Sequence, residues 1–252
     1  MPEQPFWPEG IQGAVSLTFD DALETHLDTA IPCLDDHGFH GTFYVNPGRK
    51  PTWQRDLPRW QEASRSGHEI GNHTADHPCS CNFGFRKDGY CLENLTLDEL
   101  AKTIDDATET LDKEFPEQGG RRSFGYPCYQ TYVGAGVNRE SYVPLVAGRF
   151  PVGRGGGEWP NDPRAIDLAY TWSFAVQGDS AEDMIAYING AIEKGWWAVV
   201  CMHGVGGQHI SITTEDYTEM VGYLGQNRDR IWTGTMVEVA DYIIDRRQQL
   251  AG

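Results

Sequence analysis

The chain has no run of 18 apolar residues, so it offers no candidate for a membrane-spanning helix. Its opening, Met1-Pro2-Glu3-Gln4-Pro5-Phe6-Trp7-Pro8, lacks both a basic n-region and an apolar h-region and does not read as a signal peptide. The expectation is a cytoplasmic protein as the chain stands, or a secreted one whose signal has been removed. Positive charge is scarce. Lys and Arg total 20 against 37 Asp and Glu, a formal net charge of −17. That balance disfavours nucleic acid and anionic membranes as partners. No internal repeat or dividing linker is visible. Six cysteines are few for 252 residues, and a chain of this length does not need disulfide staples. Cys79, Cys81 and Cys91 cluster, but their spacing lacks the paired knuckles of a structural zinc site. A loop disulfide such as Cys81–Cys91 and a separate metal site with a fourth ligand both stay open. Cys33 and Cys201 read as small apolar side chains.

What is present is apolar periodicity. Hydrophobic residues make up 39% of the chain, enough to bury a sizeable core. Buried strands are expected at Val15–Thr18, Gly41–Val45, His68–Asn72, Ser123–Tyr126, Trp196–Met202 and Ile231–Trp232. Between them fall helical patterns over Thr25–His37, Leu57–Ser66, a segment opened by the capping box Thr96/Glu99, a segment from Ser180, Glu215–Leu224 and Met236–Asp245. Residues 134–167, rich in Gly, Pro, Asn and Arg, read as irregular and as a wall of a substrate groove. Alternating strands and helices imply an α/β fold with a mainly parallel sheet. Candidate site residues at strand ends suit a barrel, whose chemistry sits at that face.

The densest chemical signal is Thr18-Phe19-Asp20-Asp21, followed by His73-Thr74-Ala75-Asp76-His77. A carboxylate dyad ends a strand, and two histidines stand at i and i+4, a spacing that one helical turn would bring to one side. Hydrolytic metal centres need a few protein ligands, an open position and a nearby base. Asp21, His73 and His77 can supply the ligands and Asp20 the base.

This pattern resembles the polysaccharide deacetylases of carbohydrate esterase family 4, the NodB-homology family. A third match, Cys201-Met202-His203 at a strand end, is looser. The resemblance implies that residues 1–252 form a single domain with the family's distorted (β/α) barrel. It implies a metal-dependent hydrolase that removes acetyl groups from an N-acetylated carbohydrate such as a chitin oligosaccharide or peptidoglycan. Asp20 would be the base, His203 the acid that protonates the leaving group, and Asp21, His73 and His77 the ligands of one divalent metal. Zinc is expected first, with cobalt, nickel or manganese also suited to such ligands. An acetylated carbohydrate would be the partner, and the oligomeric state stays unassigned.

The family's third motif, roughly R-P-P-Y, aligns with Gly125-Tyr126-Pro127-Cys128. The backbone N–H of Cys128 then stands where the oxyanion donor is expected. The arginine that orients the base is replaced by Gly125, and Arg154 or Arg149 is the candidate to substitute for it. Tyr126, Trp172 and Cys201 are expected at the substrate, the latter two as walls of an acetyl pocket. His26 and His209 are possible cleft residues, whereas His37, His40 and His68 read as surface or strand-edge residues. A carboxylate, Asp162 or Asp167, is expected to orient His203. Alternatives are an O-acetyl esterase on xylan, an allantoinase-like amidase on a non-sugar substrate, and a carbohydrate-binding module with a degenerate site.

Overall fold

The computed structural model describes residues 4–48, 52–84 and 89–252; Met1, Pro2 and Glu3 of the opening segment lie outside the described residues. In chain order the elements are β1 (Gly13–Asp20), α1 (Ile31–Asp36), β2 (Thr42–Val45), α2 (Trp53–Arg65), β3 (Glu69–Asn72), α3 (Leu97–Glu114), β4 (Phe124–Gly125), β5 (Tyr132–Val133) and β6 (Glu140–Ser141). Then follow α4 (Val143–Ala147), β7 (Gly153–Arg154), β8 (Phe174–Ala175), α5 (Ala181–Ile192), β9 (Trp197–Met202), α6 (Thr214–Gln226), β10 (Ile231–Thr233) and α7 (Met236–Ala251). Eight strands form one sheet in the order β7-β4-β3-β2-β1-β9-β8, with β10 also pairing with β1. All of its pairings are parallel, while β5 and β6 form a separate antiparallel pair. The parallel sheet follows the expected alternation of elements, and it curls into the distorted (β/α) half-barrel that the family resemblance implied.

Strand parity decides which side chains enter the curl. Side chains alternate between faces along a strand. On β1, Val15, Leu17 and Phe19 join the core beneath the helices, together with Phe43 of β2 and Ala198, Val200 and Met202 of β9. The opposite parity faces inward. Tyr44, Trp197 and Val199 form an inner apolar cluster, and the buried Ser16 and Thr18 take that same inner parity. Their hydroxyls donate to Gly234 O at 2.8 Å and Val200 O at 3.0 Å, so neither polar group is orphaned. Asp20, Cys201 and His203 continue the inner rows to the C-terminal rim.

Several elements differ from the sequence reading. The helix expected over Thr25–His37 begins as a wide turn, His26–Ala30, in which the Ile31 amide bonds to His26 O. Pro32 at the start of α1 lacks the N–H that a regular ladder would need, and the wider turn absorbs the break. Helix α2 starts at Trp53, before the expected Leu57, because the buried Trp53 ring packs edge-on to Phe115. His68 is not at the surface; it is buried, accepts the Gly41 N–H and faces Asp35. The capping box at Thr96/Glu99 forms as read, and a further one, Ser180/Asp183, opens α5.

Candidate active site

Asp20 ends β1 pointing into the curl, and Asp21 turns the chain there with φ of 77°, its amide bonded to Tyr44 O. His73 follows β3. Its Nδ1–H donates to Gly125 O at 2.7 Å, which fixes the tautomer and leaves the Nε2 lone pair free to bind. Burial pushes the His73 pKa down to about 4, so its imidazole is neutral at ordinary pH. His77 reaches the same place without a helical turn. Thr74 and His77 both take left-handed conformations, and the loop is pinned by Thr74 N to Asn72 Oδ1 at 2.8 Å and His77 N to Thr74 Oγ1 at 2.8 Å. Helix α3 braces it, through Ala75 N to Thr103 O and Asp76 N to Thr103 Oγ1.

The three donor atoms then form a triangle. Nε2 of His77 lies 3.1 Å from Nε2 of His73 and 3.4 Å from Oδ1 of Asp21, and the third edge is 4.0 Å. A tetrahedral cation with bonds near 2.1 Å separates its ligands by about 3.4 Å. Asp21, His73 and His77 therefore fit one divalent ion, and the chemistry of an O/N/N donor set agrees.

Asp20 stands beside this triangle, 3.7 Å from His73 Nε2 and 4.0 Å from His203 Nε2. Arg154, fully buried at the end of β7, sends one guanidinium nitrogen to both Asp20 oxygens, the contact to Oδ2 being 2.5 Å. Its plane is held against the rings of Tyr44 and Tyr129, 4.9 and 5.3 Å from their centres. Burial raises the Asp20 pKa, but Arg154 and then His73 and His203 outweigh it and hold the carboxyl below its ordinary range. Gly125 and Arg154 are register partners on adjacent strands. A Cβ at Gly125 would meet Tyr44 Cγ at 2.7 Å and His73 Nδ1 at 3.0 Å, so Tyr44 occupies the space a side chain from β4 would need.

A cleft of about 570 Å³ opens over these groups, lined by Asp20, Asp21, His77, Phe83, Cys128, Tyr129, His203, His209 and Ile210. The turn after β4 is closed by the amides of Tyr129 and Gln130, and Cys128 within it lines the cleft. Tyr129 donates its OH to Cys201 Sγ at 3.1 Å, and Cys201 lies 3.7 Å from Asp20 Oδ2.

Residues 9–131 match the family profile described as polysaccharide deacetylase. The match spans just under half of the chain, and over that stretch the chain resembles the family. The whole deacetylase-like chain has solved structures of the same fold. A Mycobacterium smegmatis protein assigned as a polysaccharide deacetylase is 18% identical, with a TM-score of 0.67 over 98% of this chain and 96% of that one. The family 4 acetyl xylan esterase of Clostridium thermocellum, solved with a cobalt ion, is 20% identical with a TM-score of 0.55, over 90% and 89% of the two chains. The peptidoglycan deacetylase PdaC of Bacillus subtilis is 16% identical with a TM-score of 0.55, over 96% and 97%. A gellan lyase from a Bacillus species is 24% identical over 95% of this chain, which spans about 10% of that relative's length. Asp20, Asp21, His73, His77 and Cys128 fall inside the matched stretch, whereas Arg154, Cys201 and His203 fall beyond it.

The fold brings Asp20, Asp21, His73, His77, Cys128, Arg154, Cys201 and His203 together. It does not bring the others. Tyr126 is fully buried, with its OH on Ala169 O at 2.7 Å, because strand parity turns it outward into a separate core cluster. Trp172 lines a different groove with Trp159 and Trp196. Arg149 pairs with Asp105 away from the site. No residue of 134–167 lines the cleft; the walls come from Phe83, Tyr129 and the loop carrying His209 and Ile210. His26 lies behind the cleft, with Nδ1 accepting the Leu23 N–H and Nε2 bonded to His203 O at 2.8 Å. Asp162 and Asp167 face the Trp172 groove, and Nδ1 of His203 is buried with no hydrogen-bond partner among the described residues. Cysteine pairing also exceeds the reading. Cys81 bonds to Cys91, and Cys79 bonds to Cys128 across 49 residues. The Cys79–Cys128 pair left no local signal, because only the fold sets the loop after β3 against the turn after β4.

Proposed function

We propose that this chain hydrolyses acetyl groups from carbohydrate, with Asp20 as base and Asp21, His73 and His77 as ligands of one divalent ion, zinc first among candidates. When bound, the ion would supply Lewis acidity to the acetyl carbonyl and to the attacking water. The observation that carries the reading is the placement of a buried, Arg154-held carboxylate beside a three-donor triangle at the rim of an open cleft. Arg154 keeps Asp20 ionised and, by holding both oxygens, fixes the direction from which it takes a proton. The Cys128 amide provides a donor for the carbonyl oxygen as it gains charge. Tyr129, which lines the cleft and lies on the buried Cys201, gives a wall beside Asp20 for the acetyl methyl. His203, aimed at Asp20 through Nε2, is placed to return a proton to the leaving group.

The family resemblance favours an N-acetylated sugar as substrate. One feature favours the O-acetyl reading instead. Nδ1 of His203 is buried with no hydrogen-bond partner among the described residues, and an alkoxide leaves an acyl centre with less need of prior protonation than an amine does. The two readings separate on acetate release by metal-loaded protein from chitin oligomers, peptidoglycan fragments and acetylxylan. His203→Ala should cripple hydrolysis of an N-acetyl sugar far more than that of 4-nitrophenyl acetate, whose leaving group departs as its anion. Equal losses with metal content unchanged would remove His203 from the acid role. No acetate from any of the three polymers would remove the carbohydrate reading.

A further inference from the structure

Two donor triangles share His77. On one side of its ring, Nε2 faces Asp21 and His73. On the other, Nδ1 lies 3.5 Å from Cys79 Sγ, and the donor atoms of His77, Cys79 and Cys128 all fall within 4.8 Å of one another. A tetrahedral cation with one thiolate bond near 2.3 Å and one imidazole bond near 2.1 Å separates those two ligands by about 3.6 Å. The Cα atoms of Cys79 and Cys128 are 5.9 Å apart, near enough for both sulfurs to bind one ion once the bond between them is broken. Cys79 is buried, while Cys128 lines the open cleft, so a reductant can approach from the substrate side.

We propose that the Cys79–Cys128 disulfide keeps a second cation site closed, and that its reduction opens a thiolate site on Cys79, Cys128 and Nδ1 of His77. This rests on the reading of His77 as a ligand through Nε2. A dithiol reductant delivers two electrons and two protons. Its own S–S bond forms as the Cys79–Cys128 bond breaks, giving two thiols, each of which loses its proton when it binds the ion. The new donor set is two sulfurs and one nitrogen. It suits zinc or cobalt and not magnesium or manganese, and it draws His77 away from the hydrolytic triangle. The oxidised chain is then the hydrolase, and the reduced chain holds its metal in an inactive place.

Cobalt reports the difference directly, because thiolate ligation adds a near-ultraviolet sulfur-to-metal charge-transfer band. The Cys81→Ser/Cys91→Ser variant removes the neighbouring disulfide and its competing sulfurs. Oxidised, this variant should bind cobalt without the band and release acetate. Reduced by a phosphine, freed of reductant and reloaded without oxygen, it should show the band and lose most of its acetate release, and reoxidation should reverse both changes. Adding Cys79→Ser or Cys128→Ser should abolish the band. A reduced protein that shows no band overturns the proposal, even if the oxidised protein binds cobalt and turns over normally. A band on reduction in a chain that binds no cobalt when oxidised supports the thiolate site and overturns the Asp21/His73/His77 assignment instead.

Discussion

At Asp20 and Asp21, adjacent carboxylates acquire opposite surroundings. Parity turns Asp20 into the curl against Arg154, while the left-handed Asp21 faces His77 at the rim. Asp20→Asn should therefore keep the metal and lose turnover by roughly 10²–10⁴-fold, as general-base removal does. Asp21→Asn should weaken metal affinity itself. Elemental analysis and rates on both variants check this, and equal metal loss in the two would undo the assignment. Arg154 offers a pH test. It lowers the Asp20 pKa, so Arg154→Ala should raise it and move the acidic limb of the pH–rate profile to higher pH. An unmoved limb would mean that Asp20 is not the titrating base. Both aspartates are legible in the sequence. The sequence narrows the guanidinium to Arg154 or Arg149 without choosing, because Gly125 and Arg154 are 29 positions apart and meet only as neighbours across β4 and β7.

Elements deliver these residues through their ends. The wide turn before α1 exists because Pro32 interrupts the ladder, and it buries His26 behind the catalytic loop. There His26 holds His203 O, and burial brings its pKa down to about 4 from 6.5. The unfolded chain therefore binds a proton between those values that the folded chain refuses. Stability from this residue is full above pH 6.5 and falls as pH drops toward 4, by about 3 kcal/mol in all. In metal-free protein, urea titrations at pH 7.5 and pH 5 should show a larger loss for the native chain than for His26→Gln. Equal losses would show that His26 is not the group responsible. The i, i+4 histidine spacing was legible and its geometry was not: two left-handed residues and the brace from α3 replace the helical turn.

For the whole molecule, the two disulfides close loops of very different length. In the chain-entropy picture, a separation of 49 residues is worth about 4 kcal/mol and one of 10 about 3 kcal/mol. Cys79→Ser/Cys128→Ser should therefore lower the denaturation midpoint more than Cys81→Ser/Cys91→Ser does. Urea curves on oxidised proteins check the order, and a reversed order would mean that the longer loop is already restricted in the unfolded chain.

The sequence by itself determined the parallel α/β architecture, the capped helices and the Asp20, Asp21, His73 and His77 cluster, because periodicity and short spacings are local properties. Tertiary structure decided everything that depends on which strand ends become neighbours. It placed Arg154 on Asp20, closed Cys79 onto Cys128, turned Tyr126 outward and left Trp172 on another groove. Those outcomes depend on register and strand parity in a curled sheet. A one-residue change of register exchanges the faces of a strand, and no local pattern around Tyr126, Arg154 or Cys128 encodes that choice.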